Sequence, residues 1–172
     1  MNIWSTSPKP RNSPVLVWIY GGGFYSGTST LKIYDPRIIV GETELIFVSL
    51  QYRVSIFGFL YMNHESAPGN QGLLDQYLAM KWIYNNIQYF GGDSSKITIF
   101  GESAGSVSVS LHLLSPLSSN LFNNAMMQSG TALADWALLE GAEAIKRNSE
   151  ILASLGCNQT RIDDMIECAK KV

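Results

Sequence analysis

The stretch Ile97-Thr98-Ile99-Phe100-Gly101-Glu102-Ser103-Ala104-Gly105 decides how this chain is read. Its first four residues are β-branched or aromatic and suit a buried strand, and Ala104 to Leu114 suits a helix. Between them lies Gly-x-Ser-x-Gly. A serine on a strand-to-helix turn of this kind stands on a bend too tight for side chains at its flanks, and Gly101 and Gly105 meet that need. The turn lifts the Ser103 hydroxyl above the end of the sheet, at the start of the following helix, where a nucleophile for acyl transfer belongs. The five-residue pattern is short, so its weight comes from the strand before it and the helix after it.

A second glycine cluster points the same way. Val15-Leu16-Val17-Trp18-Ile19-Tyr20 reads as a buried strand, and Gly21-Gly22-Gly23 follows at once. Acyl transfer builds negative charge on the carbonyl oxygen, and preorganised backbone N–H groups stabilise it. Glycines let main chain approach the reacting carbon with no Cβ in the way. The candidate donors are the amide after the nucleophile, Ala104, with Gly22 and Gly23 from the loop.

Composition sets the limits. The 172 residues, 46% hydrophobic and 15% charged, suit a soluble globular protein, and a net charge of −2 gives no electrostatic case for nucleic acid or an anionic membrane. No apolar stretch is long enough to span a bilayer. The segment from Met1 to Pro10 lacks the basic and apolar regions of a signal peptide. It reads as a strand end entering a polar loop, which suggests a fragment. Cys157 and Cys168 are spaced for closure of a small surface loop, and no neighbouring His or Cys makes a metal site there. Asn158-Gln159-Thr160 inside that loop is an N-glycosylation acceptor. Together these favour an oxidising, secretory compartment over two free thiols in a cytosolic chain.

Alternating elements predict an α/β fold. Strands are expected at Val15–Tyr20, Leu45–Tyr52, Ile97–Phe100 and Asn124–Gln128. The first helix runs from Leu73 to about Phe90, with Leu74, Tyr77, Leu78, Lys81 and Trp82 at helical spacing and Gly91-Gly92 as its stop. Its aromatic residues, with Tyr84, Tyr89 and Phe90, read as core and interface packing. The helix after Ser103 ends before Pro116. Further helices are expected from Gly141 to Leu155 and from Asp163 to Lys171. No repeat or linker divides the chain, so residues 1–172 read as one partial domain.

A serine nucleophile needs a base, and none is evident. In this type of site the order is Ser, then acid, then His, yet no histidine follows His112. That residue lies nine positions further along the same helix, roughly 13 Å along the axis from Ser103 and out of hydrogen-bond reach. His64 precedes the nucleophile in the polar stretch Asn63–Asn70. Asp135, Glu140, Glu143 and Glu150 follow the serine but have no base to orient.

Several segments resemble the cholinesterases of the type-B carboxylesterase family, within the α/β-hydrolase superfamily. They are Trp18–Gly27, Val48–Val54, Ala67–Asn70, Gly72–Gln76, Phe90–Asp93 and Phe100–Gly105. Tyr20, where many carboxylesterases carry His, and Tyr25 tilt the likeness to an acetylcholinesterase-like member. The resemblance covers nearly the whole chain and about a third of such a catalytic domain. It implies an α/β-hydrolase fold, Ser103 as nucleophile, Gly22, Gly23 and Ala104 as oxyanion donors, and Glu102 beside a cationic substrate. It implies Trp136 as an acyl-pocket wall that limits acyl size, and Tyr25 and Tyr34 as aromatic residues facing a quaternary ammonium group. It further implies an Arg53–Asp75 ion pair, a Cys157–Cys168 disulfide, a secreted or cell-surface setting, homo-oligomers and no cofactor.

Ser106 departs from the family pattern, where a glycine often follows the motif, and the family's choline-site tryptophan, triad acid and histidine have no counterpart here. The reading is therefore a choline esterase fragment with little activity of its own. A general carboxylesterase and a non-catalytic cholinesterase-like adhesion protein are the alternatives.

Overall fold

The computed structural model describes residues 1–171. Strand β2 (Ser13–Ile19) lies at the centre of a five-stranded sheet, with Val15, Val17, Trp18 and Ile19 all buried. An unbroken apolar run is what a strand covered on both faces requires. β2 pairs in parallel with β3 (Ile46–Ser49) on one side and β6 (Gly92–Glu102) on the other. β7 (Asn124–Gln128) continues the parallel set beyond β6, and the short β1 (Asn2–Trp4) closes the far edge antiparallel to β3. The order is β1-β3-β2-β6-β7. The register sets Ile19 opposite Gly101, so β2 and β6 end side by side, and the glycine loop and the serine turn leave the same end of the sheet.

Two short helices, α1 (Arg37–Thr43) and α2 (Ser55–Phe59), and a hairpin of β4 (Tyr61–His64) with β5 (Ala67–Pro68) fill segments that the sequence leaves without elements. The hairpin replaces the expected polar loop at 63–70. Helix α3 (Gln71–Asn86) continues into a 3-10 turn at Ile87–Phe90, and Gly91, at φ +93°, supplies the expected stop. Helix α4 (Ala104–Leu114) packs on β6, β7 and β2 and stops before an extended Ser115, as the following proline requires. The expected strand at 45–52 is shorter because its end leaves the ladder to bond Tyr52 to Tyr20.

The sequence picks the wrong face of α3. Its inward residues are Gly72, Gln76, Met80 and Ile83, while Leu74, Leu78, Trp82 and Tyr84 are exposed. The outward face is at least as apolar as the inward one, so spacing could not choose between them. The aromatic residues expected in core and interface packing lie outside the core, near the surface, where Lys81 Nζ sits 5.8 Å from the Tyr77 ring and Trp82 packs on Phe90.

A second, smaller apolar cluster gathers the hairpin with α5 (Gly141–Ser154) and α6 (Ile162–Ala169). Cys157 and Cys168 are joined there, with Cys157 fully buried against Leu152, Met165 and Ile166. Asn148 Nδ2 donates to Tyr61 O at 3.0 Å and ties α5 to the hairpin. Among the described residues no helix is long and apolar enough to cross a membrane.

Candidate active site

Ser103 stands between β6 and α4 at φ 56°, ψ −122°, a region side chains seldom occupy. Such a conformation costs about 1–3 kcal/mol and persists only where the surroundings over-determine it. Here they do. The Ser103 N–H donates to Gln128 O of β7 at 2.9 Å, and Ser103 O accepts the Val107 N–H at 3.0 Å. A Cβ on Gly101 would stand 2.5 Å from the Gly105 carbonyl carbon and 2.7 Å from Ile19 O. A Cβ on Gly105 would collide with Ile19 O. Both glycines of the motif are thus held by backbone rather than by adaptable side chains.

The glycine loop is built against this turn. A Cβ on Gly21 would lie 3.1 Å from Ser103 Cβ and 2.5 Å from Glu102 O, so the loop's main chain lies directly on the serine. Gly22, Gly23 and Phe24 follow at φ +111°, +61° and +64°, and the Tyr25 and Ser26 N–H groups both donate to Gly22 O. Ser55 N–H holds Phe24 O at 2.7 Å. Among the described residues, the N–H groups of Gly22, Gly23 and Ala104 are engaged in no turn, cap or side-chain hydrogen bond, as donors awaiting an anion must be. Just upstream, Tyr20 Oη donates to Tyr52 O at 2.9 Å and Tyr52 Oη to Tyr20 O at 2.7 Å, with the rings stacked at 4.4 Å. Burial pushes both phenols above the usual tyrosine range. This reciprocal clasp fixes the exit of β2 into the loop, and it escapes a linear reading because its members lie on different strand ends.

The remaining sequence-predicted residues are dispersed. Glu102 is exposed, with Oε2 within 3.2 Å of the point where a Gly21 Cβ would sit. Trp136 is half exposed, but its Cζ2 lies 3.5 Å from the Cβ point of Gly130, which is itself 3.0 Å from Ser103 O. The structure therefore brings Trp136 to the back of the serine turn. The exposed Tyr25 ring folds over Gly23, 2.5 Å from where a Cβ would stand. Tyr34 packs on Trp18 at 5.0 Å and lines a cleft of about 290 Å³ with Asn2, Trp4, Ser29 and Arg37, and Ser103 and Tyr25 are not part of that cleft. Arg53 and Asp75 form a bidentate pair, both contacts at 2.8 Å, which holds the Asp75 carboxyl below the usual carboxylate range. Asn158 is exposed between the two disulfide-bonded cysteines.

Ser106 gains an explanation: it is buried, and its Oγ donates to Gly130 O, tying the first turn of α4 to the segment that carries Trp136. Neither histidine serves Ser103. His112 is buried, with Nε2 2.9 Å from Gln76 Oε1 and Nδ1 2.9 Å from Ser118 Oγ. Its burial pushes the imidazole down to about 4. His64 Nδ1 accepts the Ser66 N–H, and Nε2 meets Asp163 of α6 at 2.9 Å. That imidazole–carboxylate pair was not visible in the sequence, since its members lie far apart along the chain. It clamps α6 to the hairpin. Among the described residues no group of three His, Cys, Asp or Glu side chains could hold a metal ion.

Comparison with known proteins agrees with this geometry. The profile of the carboxylesterase family matches residues 1–172. The chain is 49% identical to cholinesterase 1 of Branchiostoma lanceolatum over 174 residues, covering 100% of this chain and 49% of that protein. Cholinesterase 2 of the same animal is 52% identical over 167 residues, 96% of this chain and 50% of that one. The acetylcholinesterase of Bungarus fasciatus is 49% identical over 171 residues, 99% of this chain and 28% of its own length. The chain thus spans about half the length of the first two and little more than a quarter of the third. With the strand–Ser103–helix turn seated on its glycine loop and a family match along the full length, this chain belongs to the carboxylesterase family and has its α/β-hydrolase fold.

Proposed function

We propose that this chain carries the nucleophile and oxyanion hole of a serine esterase acting on choline esters, and that residues 1–172 are part of a larger hydrolase domain. The observation that carries the reading is the strained Ser103 turn, packed against Gly21 beside three uncommitted amides. In the reaction, Ser103 Oγ attacks the ester carbonyl carbon and yields its proton to a base. The tetrahedral oxyanion is held by the Gly22, Gly23 and Ala104 N–H groups, and collapse expels the alcohol and leaves an acyl-serine. Water then repeats the sequence on the acyl group and frees the acid. The described residues offer no base in contact with Ser103, because His112 and His64 are both engaged elsewhere.

The choline preference is supported by the names of the relatives and by side-chain chemistry. Tyr25 offers an exposed aromatic face to a quaternary ammonium group. Glu102 supplies negative charge beside the serine, and Trp136 behind the turn restricts the acyl group. Tyr34 lines a cleft that contains neither Ser103 nor Tyr25, and only the family resemblance supports a cation-facing role for it. The Cys157–Cys168 bond and the exposed Asn158 sequon favour a secreted, glycosylated protein, and homo-oligomers are expected by analogy.

The test is labelling by an alkyl fluorophosphonate that mimics the tetrahedral intermediate. Slow, stoichiometric modification confined to Ser103 is expected, abolished in Ser103→Ala. An adduct on another serine, or none on folded protein, overturns the assignment. Protection of Ser103 by a choline ester but not by a neutral ester of the same acid is the expected specificity. Equal protection by both would point to the general carboxylesterase instead.

A further inference from the structure

A buried polar chain runs beneath the active-site helix, and the reaction described above does not use it. Ser118, His112, Gln76 and Ser108 are all at least nine-tenths buried. Ser118 Oγ meets His112 Nδ1 at 2.9 Å, His112 Nε2 meets Gln76 Oε1 at 2.9 Å, and Gln76 Nε2 donates to Ser108 Oγ at 3.1 Å. Ser108 Oγ donates to Ala104 O at 2.9 Å. From His112 to Ala104 the direction of each proton follows from the amide, while the Ser118 hydroxyl faces both His112 Nδ1 and, at 3.3 Å, His112 O. With Oε1 facing the imidazole, His112 carries its proton on Nε2, and Nδ1 is left to accept from Ser118. With its Nε2 donating to Ser108, the amide leaves that hydroxyl's own proton for Ala104 O. Four residues from α3, α4 and the loop after it thus act in series, and the series ends on the residue that immediately follows Ser103.

We infer that Ser108, Gln76 and His112 are positioning residues for the oxyanion hole, an inference that rests on the reading of the Ala104 N–H as an oxyanion donor. Ala104 follows Ser103, which is held at positive φ, and such strain persists only where the surrounding structure over-determines it. The first-turn carbonyl of α4 receives the Ser108 hydroxyl in addition to the helix's own bonding, which holds the Ala104–Gly105 peptide and, through the Ala104 Cα, restrains the adjoining peptide that carries the Ala104 N–H. Ser106 fixes the same turn sideways through Gly130 O. A preorganised donor matters most in the transition state, where charge on the carbonyl oxygen is greatest, and less in initial binding. The loss should therefore fall on the bond-forming step.

The experiment measures Ser103 modification by the fluorophosphonate across reagent concentration, separating the limiting rate from the half-saturating concentration. Ser108→Ala and Gln76→Leu should each lower the limiting rate about 10-fold or more while leaving the half-saturating concentration within about twofold. The double variant should lose no more than the worse single, because the residues act in series. In the wild-type protein, imidazole nitrogen NMR should show His112 as the Nε2–H tautomer, a readout that needs no variant to fold. Equal limiting rates in wild type and Ser108→Ala, or a loss confined to half-saturation, overturns the positioning role while Ser103 labelling still stands. An Nδ1–H tautomer overturns it too, since the chain would then run the other way and turn the Ser108 proton from Ala104. Failure of wild-type Ser103 to label at all removes the oxyanion reading and this inference together.

Discussion

Burial keeps the His112 imidazole neutral until about pH 4, whereas an unfolded chain protonates the same group near 6.5. The sign follows directly. Between those values the unfolded state holds a proton that the folded state lacks, so acid favours unfolding. Stability attached to this residue is complete above about pH 6.5, falls as the pH drops towards 4, and is then constant, a total loss of roughly 3 kcal/mol. Urea unfolding across that window should show the slope in wild type and a much flatter profile in His112→Gln, whose amide can still meet Gln76. Identical profiles would mean that the imidazole titrates normally in place. The Arg53–Asp75 pair acts lower on the scale: Asp75 is held below its ordinary value, so its contribution is lost only as the pH falls through the lowered one.

Among the elements, α5 and α6 form a unit of their own, clamped to the hairpin by the Asn148 and His64 contacts and closed by the Cys157–Cys168 bond. Closing so short a loop contributes about 2–3 kcal/mol. Cys168→Ser should lower stability by that amount and raise proteolytic cleavage between α5 and α6, with the β2, β3 and β6 core unchanged. Cleavage spread through the sheet instead would show that this unit and the sheet fold as one.

Legibility in the sequence followed local pattern. Helix α4 is readable to the residue because Gly101 and Gly105 mark its start and Pro116 its stop, and β7 matches its expected span as a short apolar run ending just before Ser129-Gly130. Ser103 and its glycine loop are readable because tight turns demand glycine. The inward face of α3 was not, because it contains Gln76, whose burial is tolerable only through partners on α4. The Tyr20–Tyr52 clasp and the His64–Asp163 clamp were hidden for the same reason: each joins residues that only the folded chain brings together.

Taken whole, the molecule has a sheet whose central strands β2 and β3 are mostly buried and whose far end is much less covered. Among the described residues β7 has one partner, β6, and Met126 and Met127 are exposed, as are Leu133, Trp136 and Leu138 just beyond. Ser103 lies at this thinly covered end, with no base in contact among the described residues. Hydrolysis of acetylthiocholine by the purified 172-residue chain should therefore be no more than a trace, since general-base assistance alone is worth about 10²–10⁴-fold. A residual rate from the oxyanion hole would vanish in Ser103→Ala. Robust Ser103-dependent turnover would show that His64 or His112 leaves its partner to serve as base.

The hydrogen bond from the Ser103 amide to Gln128 carries a consequence in time as well as in space. Edge strands open more often than central ones, and each opening of β7 releases the amide that holds the serine in its strained turn. Solvent deuterium should therefore reach the Ser103 amide at the pace of the edge rather than of the core, although Ile97 and Ile99, a few residues back on the same strand, are shut away. Ser103 would then have two lifetimes, one in which it is poised and one in which its turn is slack. The fraction of time spent poised would be set by a methionine-bearing strand that contributes no atom to the reaction.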